Sequence, residues 1–533
     1  MKKIFFTIIN ILLLASFTAC SEKLDTAPED YYGASNYWKT TAQVEAYMQS
    51  VHSCVRDITF NHTIRFGELG SGIYRDEMGS NGNSLADIPI RLHTMSASVP
   101  GVASWGDYYS AISNVNLFIQ KVEDITFLPE KEKDYLLAEA YGIRALYYFD
   151  LYRIYGGVPL RLRADVAADG VDDVNKLYLA RSSASATMQQ ILSDVDNSIK
   201  LFGTQTDFNP YSMGKKCYWN KAASQCLAAE IHLWNAKVSV GDFAANPSEI
   251  SQAEELLKEV ESNYGLQLQQ EFAKVFSTDN KANDEIIFAV RYAEGEVLND
   301  NAKWLYSTAV GFTVNEALDV NGEKFGDKLQ LVSGANQVYE YIPQMFLQYD
   351  AADSRALATF TNTYKKDESG SLVMVGNLCT KNIGNINSSG MRVQSGDYIY
   401  YRLAWVYLTL AEIYNYQGDN DKVKEYVNKV RARAYGDNYS ESLYGFTPGT
   451  FTYNELAILT EKDKEFVQEG QRWWDLRRMQ YTKGDESTHL VFRAEASKTG
   501  TPELTQANAF RLLWPVSTSI MANDPLVEQN PGY

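Results

Sequence analysis

Residues 401–434 read YRLAWVYLTLAEIYNYQGDNDKVKEYVNKVRARA, and the spacing within this stretch decides the fold class. From 401 to 416 the apolar positions return every three or four residues, the period of an amphipathic helix. Gln417-Gly418-Asp419-Asn420 is a turn, because glycine supplies the left-handed backbone that ends a helix, and 423–434 resumes the same period. The predicted unit is a helical hairpin. Upstream, 132–155 places Leu136, Leu137, Ala140, Ile143, Tyr147, Tyr148, Leu151 and Ile154 on one stripe and stops at Gly156-Gly157-Val158-Pro159. Residues 219–238 and 250–260 read as a further hairpin.

The three stretches share a short core: Ala138-Glu139-Ala140-Tyr141, Ala229-Glu230-Ile231-His232 and Ala411-Glu412-Ile413-Tyr414. In the last hairpin Leu410, Ala411, Tyr414, Gly418, Val427 and Val430 fall at tetratricopeptide-like offsets, with Val423 where such repeats prefer alanine. A single hairpin cannot bury its apolar face, so a few degenerate repeats are expected to stack, over about 105–160, 180–265 and 400–435. Residues 60–101 and 270–396 are rich in Gly, Asn, Ser and Asp and read as a large irregular part with short strands. The best strand is in Asp284-Glu285-Ile286-Ile287-Phe288-Ala289-Val290. The fold class is therefore mostly α, with a loop-rich flank.

The chain has 533 residues, of which 45% are hydrophobic and 13% aromatic, which excludes a disordered protein. A net charge of −18 repels phosphate backbones, so nucleic acid is not an expected partner. The five cysteines include no C-x-x-C pair. Lys2 and Lys3, an apolar run over 4–14, and small residues at Ala15, Ser16, Thr18 and Ala19 make 1–19 a secretory signal. This run is shorter than the ~20 residues that cross a bilayer. Phe17-Thr18-Ala19-Cys20 resembles a bacterial lipobox, which makes Cys20 the expected lipidation site. Residues 20–40 are then the acylated cysteine and a polar tether, and 41–533 a single domain.

Catalytic signatures are missing: there is no H-E-x-x-H, G-x-S-x-G, P-loop or G-x-G-x-x-G. Neither catalytic residues, a metal nor a cofactor is expected. His52 and His62 flank Cys54 at a spacing that fits no zinc pattern, and His232, in place of a repeat tyrosine, reads as core. Glu68, Asp76 and Glu77 share one loop and read as solvated carboxylates. The aromatic complement, 36 Tyr, 9 Trp and 23 Phe, says more, because flat rings with a polar edge lie well against sugar faces.

WGDYYSAISNVN at 105–116, RALYYFDL at 144–151 with YGGVP at 155–159, NKVRARA at 428–434, EFVQEGQRWWDLRR at 465–478, and an end running from WPV at 514–516 to QNPGY at 529–533 form a series of blocks. Together they resemble the SusD/RagB-like outer-membrane lipoproteins of Bacteroidota. Lys462-Asp463-Lys464 departs from the arginines often found ahead of the Glu-Phe block. The resemblance implies a SusD-like fold on tetratricopeptide-like hairpins and a non-enzymatic, lipid-anchored binder facing the cell exterior from the outer membrane. Its expected partners are an oligosaccharide or polysaccharide ligand and a SusC-like TonB-dependent transporter that takes up the glycan. A RagB-like peptide binder and, further off, a surface glycoside hydrolase are the alternatives. Arg472, Asp475, Arg477 and Arg478 are expected to form a packed ion-pair network, with Trp473 and Trp474 structural. No family motif carries over to the ligand loops, so the site residues are chosen on chemistry: Tyr74, Trp304 and Tyr306 as platforms, and Asp76, Asn81 and Asn83 as hydrogen-bonding partners.

Overall fold

The computed structural model describes residues 37–164, 173–208, 216–299, 304–305, 316–324, 329–330 and 337–533. The principal helices are α1 (Thr41–Phe60), α2 (Gly106–Glu123), α3 (Glu130–Tyr155), α4 (Ala184–Phe202), α5 (Lys221–Lys237), α6 (Ile250–Asn263), α7 (Leu403–Gln417), α8 (Asn420–Tyr435), α9 (Phe451–Glu465) and α10 (Arg472–Arg478). The longer strands are β1 (Ile286–Val290), β2 (Phe360–Lys366), β3 (Leu372–Cys379) and β4 (Tyr398–Arg402).

Local chemistry explains where helices start. Thr40 and Gln43 close a capping box on α1, and the side chains of Ser183, Asn220, Asp419 and Thr450 accept from backbone N–H groups at the starts of α4, α5, α8 and α9. Gly418, at φ 87°, ends α7 in the left-handed conformation and opens the turn into α8.

The hairpin of 401–434 is present, but its first helix begins at Leu403. Tyr398 to Arg402 instead form β4, paired antiparallel with β1. An aromatic, β-branched run suits a pleated surface buried on both faces, and every residue of both strands is buried. The loop-rich assignment of 60–101 is likewise too broad, since 61–66 continue α1 as a π-helical turn. Tyr37 and Trp38, inside the expected tether, pack instead, with the Trp38 ring 4.6 Å from that of Tyr47. His232 is partly exposed and lies 3.0 Å from Glu249. His52 and His62 each meet a buried carboxylate, Glu139 at 2.7 Å and Asp150 at 2.8 Å.

Helix α3 is buried on all sides from Tyr135 onward, so it runs through the core and its charges must be paired. Arg144 holds Asp194 through two bonds of 2.8 and 2.7 Å, and Arg153 lies 2.8 Å from Asp150 and also pairs with Glu230. A second buried cluster joins the β1–β4 sheet to α8 and α9. Arg402 reaches Glu285 at 2.8 Å, Glu465 at 2.6 Å and Glu469 at 2.7 Å, and Arg433 shares the first two. These cations hold the Glu465 carboxyl far below the ordinary carboxylate range despite its burial. Lys462-Asp463-Lys464 is absorbed in the same way: Lys462 meets Glu412 and Asp475, each at 2.8 Å, and Asp463 meets Arg472 and Lys498.

Candidate functional site

Beyond the π-turn the chain crosses beneath 470: a Cβ on Gly67 would lie 2.1 Å from the Gly470 carbonyl oxygen, so only glycine fits. Glu68 follows. It is not a solvated loop carboxylate, since it is 1% exposed and the hydroxyls of Tyr74 and Tyr341 lie 2.7 and 2.6 Å from it. Burial pushes its carboxyl up, against the pull of those donors and of the Gly470 N–H. Residues 73–75 then pair with 340–342, the Arg75 N–H donating to the Glu340 carbonyl at 2.8 Å and the Ile342 N–H to that of Ile73 at 2.9 Å.

This pairing sets Arg75, Asp76 and Glu77 in the lining of a cleft of about 610 Å³, together with Arg91, His93 and Glu503. Asp76 and Glu77 are exposed. The Arg75 Nε donates to Glu340 at 2.9 Å, which fixes its guanidinium at the wall. Arg91 is buried; its Nε donates to the Ala86 carbonyl at 3.0 Å and its Nη1 to the carbonyls of Arg75 and Asp76, while Nη2 has no partner among the described residues. The His93 ring stacks on Trp473 with centroids 5.0 Å apart, and burial pulls its pKa down to about 4, so it is neutral at pH 7. Its Nε2 lies 2.9 Å from the Gly70 carbonyl oxygen, which makes that nitrogen the protonated one. Burial, helped by Asp76, raises the Glu503 carboxyl, while Arg472 and Ser497 oppose the shift. The cleft thus offers the guanidinium groups of Arg75 and Arg91 as fixed donors and the exposed carboxylates of Asp76 and Glu77 as acceptors.

The expected site residues divide as follows. Asp76 lines the cleft. Tyr74 borders it, but its ring is 3% exposed and stacked on Tyr341 at 4.4 Å, so no face is free and its role as a platform is withdrawn. Trp304 is half-buried, edge-on to Phe60 at 4.9 Å and 6.3 Å from Tyr339, whose ring stands 6.4 Å from that of Tyr74. One tyrosine therefore separates two residues that lie 230 positions apart in sequence. Asn83 is exposed, and the Asn81 side-chain Oδ1 accepts from the Asn83 N–H at 3.0 Å, which commits that oxygen to a turn. Tyr306 and Cys20 lie outside the described residues. Sequence reasoning missed Arg91 and Glu503; Glu503 comes from the far end of the chain, and no local pattern marks it.

The helical body thus carries a polar cleft on its irregular flank. The chain belongs to the SusD family: the family model described as "SusD family" matches residues 265–533, and one described as "Starch-binding associating with outer membrane" matches 30–233. The chain is 48% identical to a SusD superfamily protein of known structure from Bacteroides fragilis NCTC 9343, with a TM-score of 0.88 over 93% of this chain and 100% of that one. SusD-like protein P38 of Formosa agariphila is 24% identical over 100% of this chain and 99% of its own length. A solved laminarin-binding SusD-like protein has the same fold, with a TM-score of 0.68 and 20% identity over 93% of this chain and 100% of that one.

Proposed function

We propose that the chain captures oligosaccharide or polysaccharide at the outer membrane and passes it to a SusC-like TonB-dependent transporter. On this reading the signal at 1–19 is removed, Cys20 carries the lipid, and the body stands outside the cell on a short tether. The observation that carries the ligand class is the Asp76 cleft, where Arg75, Arg91 and two exposed carboxylates line about 610 Å³. That space takes a few sugar units, and the mixed donors and acceptors suit neutral hydroxyls better than a highly charged polymer. Membership of the SusD family, with a laminarin binder among the solved relatives, supports the same reading.

Native-gel retardation of the lipid-free protein across neutral and acidic polysaccharides, laminarin included, tests this directly. At least one polysaccharide is expected to slow the wild type, with no release of reducing ends on long incubation. Trp304→Ala is expected to weaken retardation roughly tenfold, the scale of one lost sugar-stacking ring. Retardation by none, with capture of a peptide pool instead, would replace the glycan by a peptide on the same scaffold.

A further inference from the structure

A second cleft, of about 920 Å³, is lined by Arg477, which packs against Trp473 as His93 of the first cleft does. Val240, Phe492, Leu512, Leu513 and the half-exposed Phe510 line its walls, and Arg477 and His489, both buried, line its floor. Arg477 departs from the expected ion-pair network. Arg472 and Arg478 meet Asp463, Glu412 and Asp475, but Arg477, 3% exposed, meets no carboxylate among the described residues. Its guanidinium lies over the indoles of Trp234, Trp473 and Trp474, 5.1 to 5.8 Å from their centroids. Its hydrogen bond runs from Nη1 to the Arg153 carbonyl at 2.7 Å, and Nε has no partner. Burial and the nearby Arg153 pull its pKa down to about 9, so the group stays charged at pH 7.

The remaining charged groups of the cleft are already engaged or lie at the mouth. Glu486 accepts from the Ser239 N–H and Oγ, each at 2.7 Å. Arg181 is spent on the carbonyls of Gly157, Tyr155 and Glu528 and on the Asn530 side chain, and the Glu528 side chain is exposed. The His489 Nε2 lies 3.0 Å from the Lys237 carbonyl oxygen, and burial keeps its pKa near 4, hence neutral. What is left is one buried cation without a counter-ion at the foot of apolar walls. A buried charge without a partner is costly, and a guanidinium edge matches a carboxylate.

We propose that this cleft is a second ligand site, which takes a small organic monocarboxylate: the carboxylate sits on Arg477 and the apolar body lies against Phe492, Leu512 and Leu513. A single cation in an apolar setting favours a monoanion over a phosphate dianion. The test is calorimetric titration of the full chain with 4-phenylbutyrate and octanoate, and with their neutral amides. The acids are expected to bind at least tenfold more tightly than the amides, and Arg477→Met to lose that preference at an unchanged melting temperature. Absence of acid binding at about 10 mM, the range where any specific contact should register, overturns the proposal, as does equal binding of acid and amide or a preference retained in Arg477→Met. If Arg477→Met fails to fold, Leu513→Trp, which fills the cleft from its wall, is expected to abolish acid binding, and unchanged binding there overturns it equally.

Discussion

Arg402 shows what a single buried charge does in this molecule. It holds Glu285, Glu465 and Glu469 together, and removing it takes one cation from each of three buried carboxylates, leaving them only Arg433, Arg355 and Lys381. Arg402→Ala is expected to destabilise the fold by about 3–5 kcal/mol, measured by denaturant unfolding, because the carboxylates left behind lose more than the pair had gained. A loss under ~1 kcal/mol would mean that Arg433, Arg355 and Lys381, which pair with the same carboxylates, hold the cluster without it. Residue chemistry was read unevenly from sequence. The ionic network of 472–478 was expected from the resemblance of 465–478 to a family block, but nothing local says that Arg477 differs from its neighbours. Glu68 was misread as solvated for the same reason: its tyrosine donors lie 6 and 273 positions away.

At the level of elements, the helical hairpins were legible because their apolar period and their glycine stops are local features. The start of α7 was not, because Tyr398 to Tyr401 become a strand only through pairing with β1, more than a hundred residues upstream. The same dependence on distant chain governs the turn after α1, where Gly67 packs on the backbone at Gly470. Gly67→Ala is expected to cost at least ~1–3 kcal/mol, since both groups in contact are backbone and neither can rotate away. Its melting temperature should fall by several degrees, whereas Gly203→Ala, at an open position with φ 58°, should show only the smaller cost of left-handed backbone. An equal drop in both variants would contradict the close approach.

Across the whole molecule, burial decides both pH response and site. His93 and His489 fall from the ordinary 6.5 to about 4 on folding, so the unfolded chain binds more protons between those values. Their contribution is fully present above about pH 6.5 and is lost as pH falls toward 4, on the order of 3 kcal/mol each. Melting temperature should therefore drop over this window, and His489→Gln should flatten part of the slope; an identical slope in the variant would contradict the assignment. The site was half legible. Of the residues chosen from sequence, Asp76 lines the cleft and Trp304 does not, whereas Arg91 and Glu503 join Asp76 only through the tertiary fold.

The central claim is that the Asp76 cleft binds sugar. It is tested most directly by titrating an oligosaccharide cut from the retarding polysaccharide into wild type and Asp76→Ala by calorimetry. Loss of a charged acceptor is expected to weaken binding by about 1.5–3 kcal/mol, roughly 10- to 100-fold, at an unchanged melting temperature. Identical binding by the two proteins would contradict the account and place the sugar elsewhere.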